Sequence, residues 1–110
     1  MLIYKIFRAD EYQAFTRQGR SPGAPIDLAD GYIHLSTGAQ VAETLSRHFA
    51  GETGLHLLAL DSAQLSDLRW EPSRGGQLFP HLYRELRTGD ILWSRPLPLG
   101  PDGHITGDLA

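Results

Sequence analysis

Apolar positions in this chain follow two rhythms, one of strands and one of a helix. Residues 2–7 (LIYKIF) are β-prone and mostly apolar on both faces, with Lys5 the only charge. That pattern predicts a central strand. Residues 55–60 (LHLLAL) form the most hydrophobic run and predict a buried strand that ends at Asp61. Between these runs Val41, Leu45 and Phe49 recur at four-residue steps with Ala42 beside them. One helix face is then apolar, and the spacing predicts a helix that starts within two residues of Gly38 and stops near Gly51. Thr37 and Gln40 have the capping-box spacing. Just upstream, the Asp30-Gly31 turn and the short run of Tyr32, Ile33 and Leu35 place His34 in a brief strand.

The rest of the chain is read by the same rules. Asp10 and Gln13 suggest a second capping box for a short helix that carries Ala14 and Phe15 and ends near Gly19. Residues 20–27 contain Pro22, Gly23 and Pro25 and read as a loop, either a plain connection or a lid. Residues 68–71 alternate in polarity and predict a strand closed by Pro72, with a flexible loop over 73–77. Residues 78–83 (LFPHLY) are broken by Pro80 and predict an edge strand or an irregular segment. Residues 84–90 turn the chain, and 91–99, with Pro96 and Pro98, form a last edge strand. Residues 100–110 read as a loose tail. Helices come early and strands late, which predicts an α+β fold with a mixed, strongly bent sheet and two short helices.

Composition narrows the class. The chain has 110 residues, 41% of them hydrophobic and 21% charged, which fits one folded domain over 1–110. Such a length hides roughly 65% of the unfolded surface, enough for a real core. A net charge of −3 argues against general nucleic-acid binding. No run approaches membrane-spanning length, and the polar N-terminus does not read as a signal peptide. The absence of cysteine excludes disulfides, thiolate metal sites and a cysteine nucleophile, and agrees with a cytoplasmic location. A monomer is expected.

Three places carry candidate chemistry. His34 lies beside Ser36 and Thr37 at the predicted mouth of a helix. Unpaired N–H groups and a partial positive charge there suit an anion such as phosphate. The plainer alternative is a structural histidine bonded to a carbonyl. His81 lies between Pro80 and Tyr83 in an aromatic run, where its ring either points into a pocket or is a core imidazole held by one bond. In residues 69–76 (RWEPSRGG), Trp70 offers a stacking platform and Glu71 a carboxylate for a hydroxyl, flanked by Arg69 and Arg74. The alternative there is a core tryptophan with a surface salt bridge. The five histidines show no HxH, HxxxH or HExxH spacing, so no metal site is expected. No GxSxG elbow surrounds Ser36, and no glycine-rich nucleotide loop is present. His34 and His81 are expected to meet in one cleft, with residues 36–39 opening onto a bound anion.

The motifs IYKI, DGYIHLST followed by Gln40, LRWE and FPHLY, in that order, resemble the small bacterial family called domain of unknown function 952. The likeness runs from Leu2 to about Leu99. The family has no established activity. Its fold looks like that of the ADP-ribosyltransferases and the related RNA 2′-phosphotransferases, which use NAD. By that resemblance His34 stands for the motif histidine that holds the ribose and amide side of NAD, with Ser36 and Thr37 near it. Glu71 and Glu85 are the candidates for the late catalytic glutamate. His81 would be a second polar or acid–base group, with Trp70 or Tyr83 as stacking surface and Arg74 among the cofactor contacts. The resemblance implies an enzyme acting on NAD or a phosphorylated nucleotide. The alternatives are a non-catalytic module for a nucleotide-like or anionic small molecule, and a structural or toxin–antitoxin-type partner protein.

Overall fold

The computed structural model describes residues 1–109, with the side chain of Arg74 outside the described part. The elements in chain order are β1 (Leu2–Phe7), α1 (Ala9–Gln18), β2 (Arg20–Ser21), α2 (Pro25–Asp30), β3 (Ile33–His34) and β4 (Ser36–Thr37). Next come α3 (Val41–His48), β5 (Leu55–Asp61), β6 (Leu68–Pro72), β7 (Leu78–Leu82), β8 (Leu86–Arg87) and β9 (Ile91–Leu97). A final hairpin joins β10 (Leu99–Gly100) and β11 (Gly103–His104). The fold is α+β. The strands make not one mixed sheet but a four-stranded, a three-stranded and two two-stranded sheets, and every pairing is antiparallel.

The large sheet runs β4-β1-β5-β9, so the two apolar runs are its inner strands. Alternation sends their side chains to opposite faces. On one face Tyr4, Ile6, Leu55, Leu57 and Ala59 meet Val41 and Leu45 of α3, with Phe49 packed at the margin. On the other, Ile3, Phe7, Leu58 and Leu60 meet Phe15 of α1 and Ile33, Leu35 and Leu82 of the small sheet β3-β7-β6. The apolar face predicted for α3 is thus the packed one.

Several expectations need correction. The α3 helix begins at Val41, not within two residues of Gly38, because residues 38–40 form a turn. The Gln40 side chain reaches back to the Thr37 N–H at 3.0 Å, as half of a capping box would, but it also donates to the Leu78 carbonyl at 2.9 Å. The capping box expected at Asp10 and Gln13 also falls elsewhere: Glu11 accepts from the Arg8 N–H at 2.8 Å and α1 starts at Ala9. The described residues form three α-helices, not two, because residues 20–27 are not simply a loop. Pro25 is the first helical residue of α2, where a missing N–H costs nothing. The chain leaves α2 through Gly31, whose φ of +86° favours glycine.

Pro80 was expected to make 78–83 an edge strand or an irregular segment, yet β7 is the centre of its sheet. The Pro80 carbonyl accepts from the Leu35 N–H at 3.0 Å, so its nitrogen also points toward β3. With no N–H to return the bond, pairing stops there and β3 is only two residues long. The tail expected to be loose is paired: His104 Nε2 lies 2.7 Å from the Glu52 carbonyl, and Leu109 packs on the core.

Candidate functional site

The register of β3, β7 and β6 assembles the site. His34 lies opposite His81, and Arg69 lies opposite His81 from the other side. Residues paired across antiparallel strands project to one face, with alternate positions joining them. One face therefore carries Tyr32, His34, Arg69, Glu71, His81 and Tyr83. The other carries Ile33, Leu82 and Leu68 into the core.

Beneath His34 lies a buried ion pair. Asp27 is 1% exposed, and Lys5 Nζ donates to its Oδ2 at 2.7 Å. Asp27 also accepts from the N–H groups of Ala24 (2.8 Å) and His34 (3.0 Å), and its Oδ1 lies 2.6 Å from His34 Nδ1. Burial pushes the Asp27 carboxyl up, but the His34 bonds and the Lys5 charge outweigh it and hold the group at about 2. The chain fits this carboxylate closely, since a Cβ on Gly23 would stand 2.6 Å from Asp27 Cβ. The other ring nitrogen, His34 Nε2, is 3.0 Å from Asp30 Oδ2.

His81 is buried, and its Nδ1 lies 2.9 Å from Glu71 Oε1. The Tyr83 hydroxyl donates to the same oxygen at 2.6 Å. That bond, then the one from His81, lowers the Glu71 carboxyl below its usual range, and it raises the Tyr83 phenol. Burial raises the Tyr32 phenol. The Tyr32 ring stacks on His81 with centroids 4.1 Å apart and tilts against His34 at 4.7 Å and Tyr83 at 5.3 Å. The two imidazoles meet edge to face at 5.5 Å. The Arg69 guanidinium lies 4.7 Å from the Tyr83 ring centre. The face thus presents the partly exposed His34 ring, the Asp30 and Glu71 carboxylates and the Arg69 guanidinium, with His81 buried against the Tyr32 ring.

His34, His81, Glu71 and Tyr83 are therefore brought together. Trp70 is not: it lies opposite Pro80 and projects from the other face of the sheet, 39% exposed, so it is neither a core tryptophan nor a platform here. Ser36 is buried, with its hydroxyl 3.1 Å from that of Thr44 on α3. The Thr37 N–H is taken by Gln40, and the Gln40 N–H by the Thr37 carbonyl. At the expected anion mouth, then, the Ser36 hydroxyl is buried and the Thr37 N–H is taken, while Ala39 stays exposed. Arg84 is held by Asp90 at 2.9 Å, and Glu85 lies 3.9 Å from Arg20, both away from the cluster. The Arg74 side chain lies outside the described residues. Sequence reasoning missed Asp27, Asp30, Lys5 and Tyr32 as parts of the site. Lys5 was the available signal, since a lone charge in an apolar strand requires a buried partner.

Among the described residues no three ligand-type side chains converge as a metal would need. No helix among them is long and apolar enough to cross a membrane.

Comparison with known proteins gives a family and a fold. The chain matches the crystal structure of protein CC0527 from Caulobacter crescentus at 48% identity with a TM-score of 0.90, over 94% of this chain and 92% of that one. The solution NMR structure of the same Caulobacter protein matches at 48% identity with a TM-score of 0.84, over 94% and 90% of the two chains. No curated protein matches. None of these matches supports an ADP-ribosyltransferase-like assignment. Residues 6–94 match the family described as "Protein of unknown function (DUF952)", and the chain belongs to that family.

Proposed function

We propose that the face of β3, β7 and β6 binds the nucleoside part of a nucleotide such as NAD and acts at its ribosidic bond, as an ADP-ribosyltransferase-like enzyme would. The observation that carries this reading is the Glu71 carboxylate, held by His81 and Tyr83 on the same face as His34 and Tyr32. Breaking a ribosidic bond develops positive charge on the anomeric carbon, and a fixed carboxylate stabilises that charge. Glu71 suits the task because its lowered carboxyl stays ionised at neutral pH. His81 and Tyr83 both bond Oε1, so neither engages Oε2. The bond pair leaves with the base, and a water or an acceptor hydroxyl supplies the new C–O bond and loses its proton. Tyr32 and Tyr83 offer aromatic faces to a base, and His34, fixed by Asp27 and Asp30, faces the ribose. Arg69 is the cation for the phosphates, in place of the helix mouth near Ser36 and Thr37.

A second reading, a non-catalytic binding module, is favoured by one feature. Both nitrogens of His34 are engaged by carboxylates, which fixes the ring rather than freeing it for proton transfer. Incubation with NAD, with nicotinamide release and thermal shift read in parallel, separates the two. The enzyme reading expects turnover that falls roughly a hundredfold or more in Glu71→Gln with binding retained. Stabilisation by NAD or ADP-ribose without turnover in the wild type selects the module. Neither stabilisation nor turnover overturns both.

A further inference from the structure

The strand β6 ends its sheet, and among the described residues no strand lies beside its outer edge. Because Pro80 directs its carbonyl toward β3, the Trp70–Pro80 pair is a non-hydrogen-bonded one. The N–H and C=O of Trp70 then point outward, and so do those of Leu68 and the C=O of Pro72. The edge thus offers a donor and an acceptor at Trp70 and at Leu68, and an acceptor at Pro72. Long exposed edges are normally shielded by shortness, prolines or charge. Here β4 is two residues long, while β6 keeps five residues, with a terminal proline and two charges of opposite sign, Arg69 and Glu71.

The sequence of this edge is complementary to itself. Read antiparallel about Trp70, LRWEP sets Arg69 opposite Glu71, Trp70 opposite Trp70 and Leu68 opposite Pro72. We propose that β6 pairs antiparallel with β6 of a second copy, joining two three-stranded sheets into one of six strands. The register pairs every outward N–H of the edge and leaves one acceptor, the Leu68 carbonyl, facing the proline nitrogen. Trp70 exchanges two bonds with its counterpart, and each Leu68 N–H donates to a Pro72 carbonyl, where proline needs no partner. Two oppositely charged pairs lie across the junction on the His34–His81 face. On the other face the two exposed indoles cover each other and the rim near Leu78, itself half exposed. A second copy is favoured over another protein because an unrelated strand would not carry this charge order. The candidate sites of the two protomers then share one continuous face, with Arg69 of one protomer opposite Glu71 of its partner.

Sedimentation velocity across a concentration series, with amide hydrogen exchange at each concentration, tests the pairing. Self-association is expected, with the amides of Leu68 and Trp70 gaining protection as concentration rises. Arg69→Glu sets like charges opposite each other twice and should weaken the dimer by about tenfold or more. Adding Glu71→Arg to that variant restores opposite charges and should restore association. Should the double variant fail to fold, as its circular dichroism would reveal, exchange protection at Leu68 and Trp70 in the wild type decides the matter. A chain that stays monomeric into the millimolar range, or a dimer indifferent to Arg69→Glu with those amides unprotected, overturns the proposal.

Discussion

Asp27 is the residue on which the candidate site rests. It lies between Lys5 below and His34 above, and its four bonds leave it fully satisfied at 1% exposure. Asp27→Asn removes one partner of a buried ion pair and should cost ~3–5 kcal/mol, a large share of a typical ~5–15 kcal/mol total. Urea unfolding measures this, and a loss below ~1 kcal/mol would show that the pair contributes little. The pH dependence has a definite sign. The folded carboxyl sits at about 2, below the ~3.9 of an unfolded aspartate. Its stabilisation is therefore complete above about pH 4 and is lost as pH falls toward 2. The urea midpoint of the wild type should fall steeply in that window, and the Asp27→Asn midpoint less so. At this scale the sequence was half legible. Lys5 was visible as a lone charge, but its partner lay in a Pro/Gly-rich stretch that reads as loop, and nothing local links the two.

Among elements, the two inner strands and the apolar face of α3 were legible because burial imposes period two on one and four-residue steps on the other. Leu45 is 3% exposed within that face, and Leu45→Ala should cost ~2–5 kcal/mol by leaving a cavity. Prolines misled. Pro25 marked a loop and instead begins α2, while Pro80 marked an edge or an irregular segment and instead lies in a central strand where only one neighbour's ladder loses a bond. Local rules give what proline forbids, but not whether the forbidden bond was needed, which depends on the neighbouring strand. Pro80→Ala should supply the missing donor toward the Leu35 carbonyl and lengthen β3. The new amide at position 80 would then resist hydrogen exchange. A freely exchanging amide there would contradict the stated reason for the short strand. Gln40 shows the same limit. Its capping spacing was readable, but its bond to the Leu78 carbonyl, which ties the turn before α3 to β7, was not.

For the whole molecule, the decisive event is that a sheet of three short strands carries its polar residues on one face. His34 and His81 are far apart in sequence, and only the β3–β7 register sets them opposite each other. Their meeting was anticipated from two apolar runs that each held a polar ring, since such rings must be satisfied or open to a cleft. Trp70 and Ser36 were misplaced because alternation puts Trp70 on the opposite face and α3 covers Ser36. If the face binds a nucleotide, His34→Ala should weaken binding by ~1.5–3 kcal/mol through a lost contact, while the buried His81 acts through Glu71 and Tyr32, so His81→Ala should weaken binding indirectly and the double variant should depart from additivity. Titration calorimetry with ADP-ribose measures both terms. The most direct test is NMR of the labelled protein during titration with NAD and ADP-ribose, following the imidazole signals of His34 and His81 and the amides of β3, β6 and β7. A nucleotide-binding face predicts saturable shifts in both imidazoles and in those strands, and none around the cavity of about 250 Å³ lined by Tyr12, Phe15 and Ser94. Unmoved imidazoles, or shifts confined to that cavity, would contradict it.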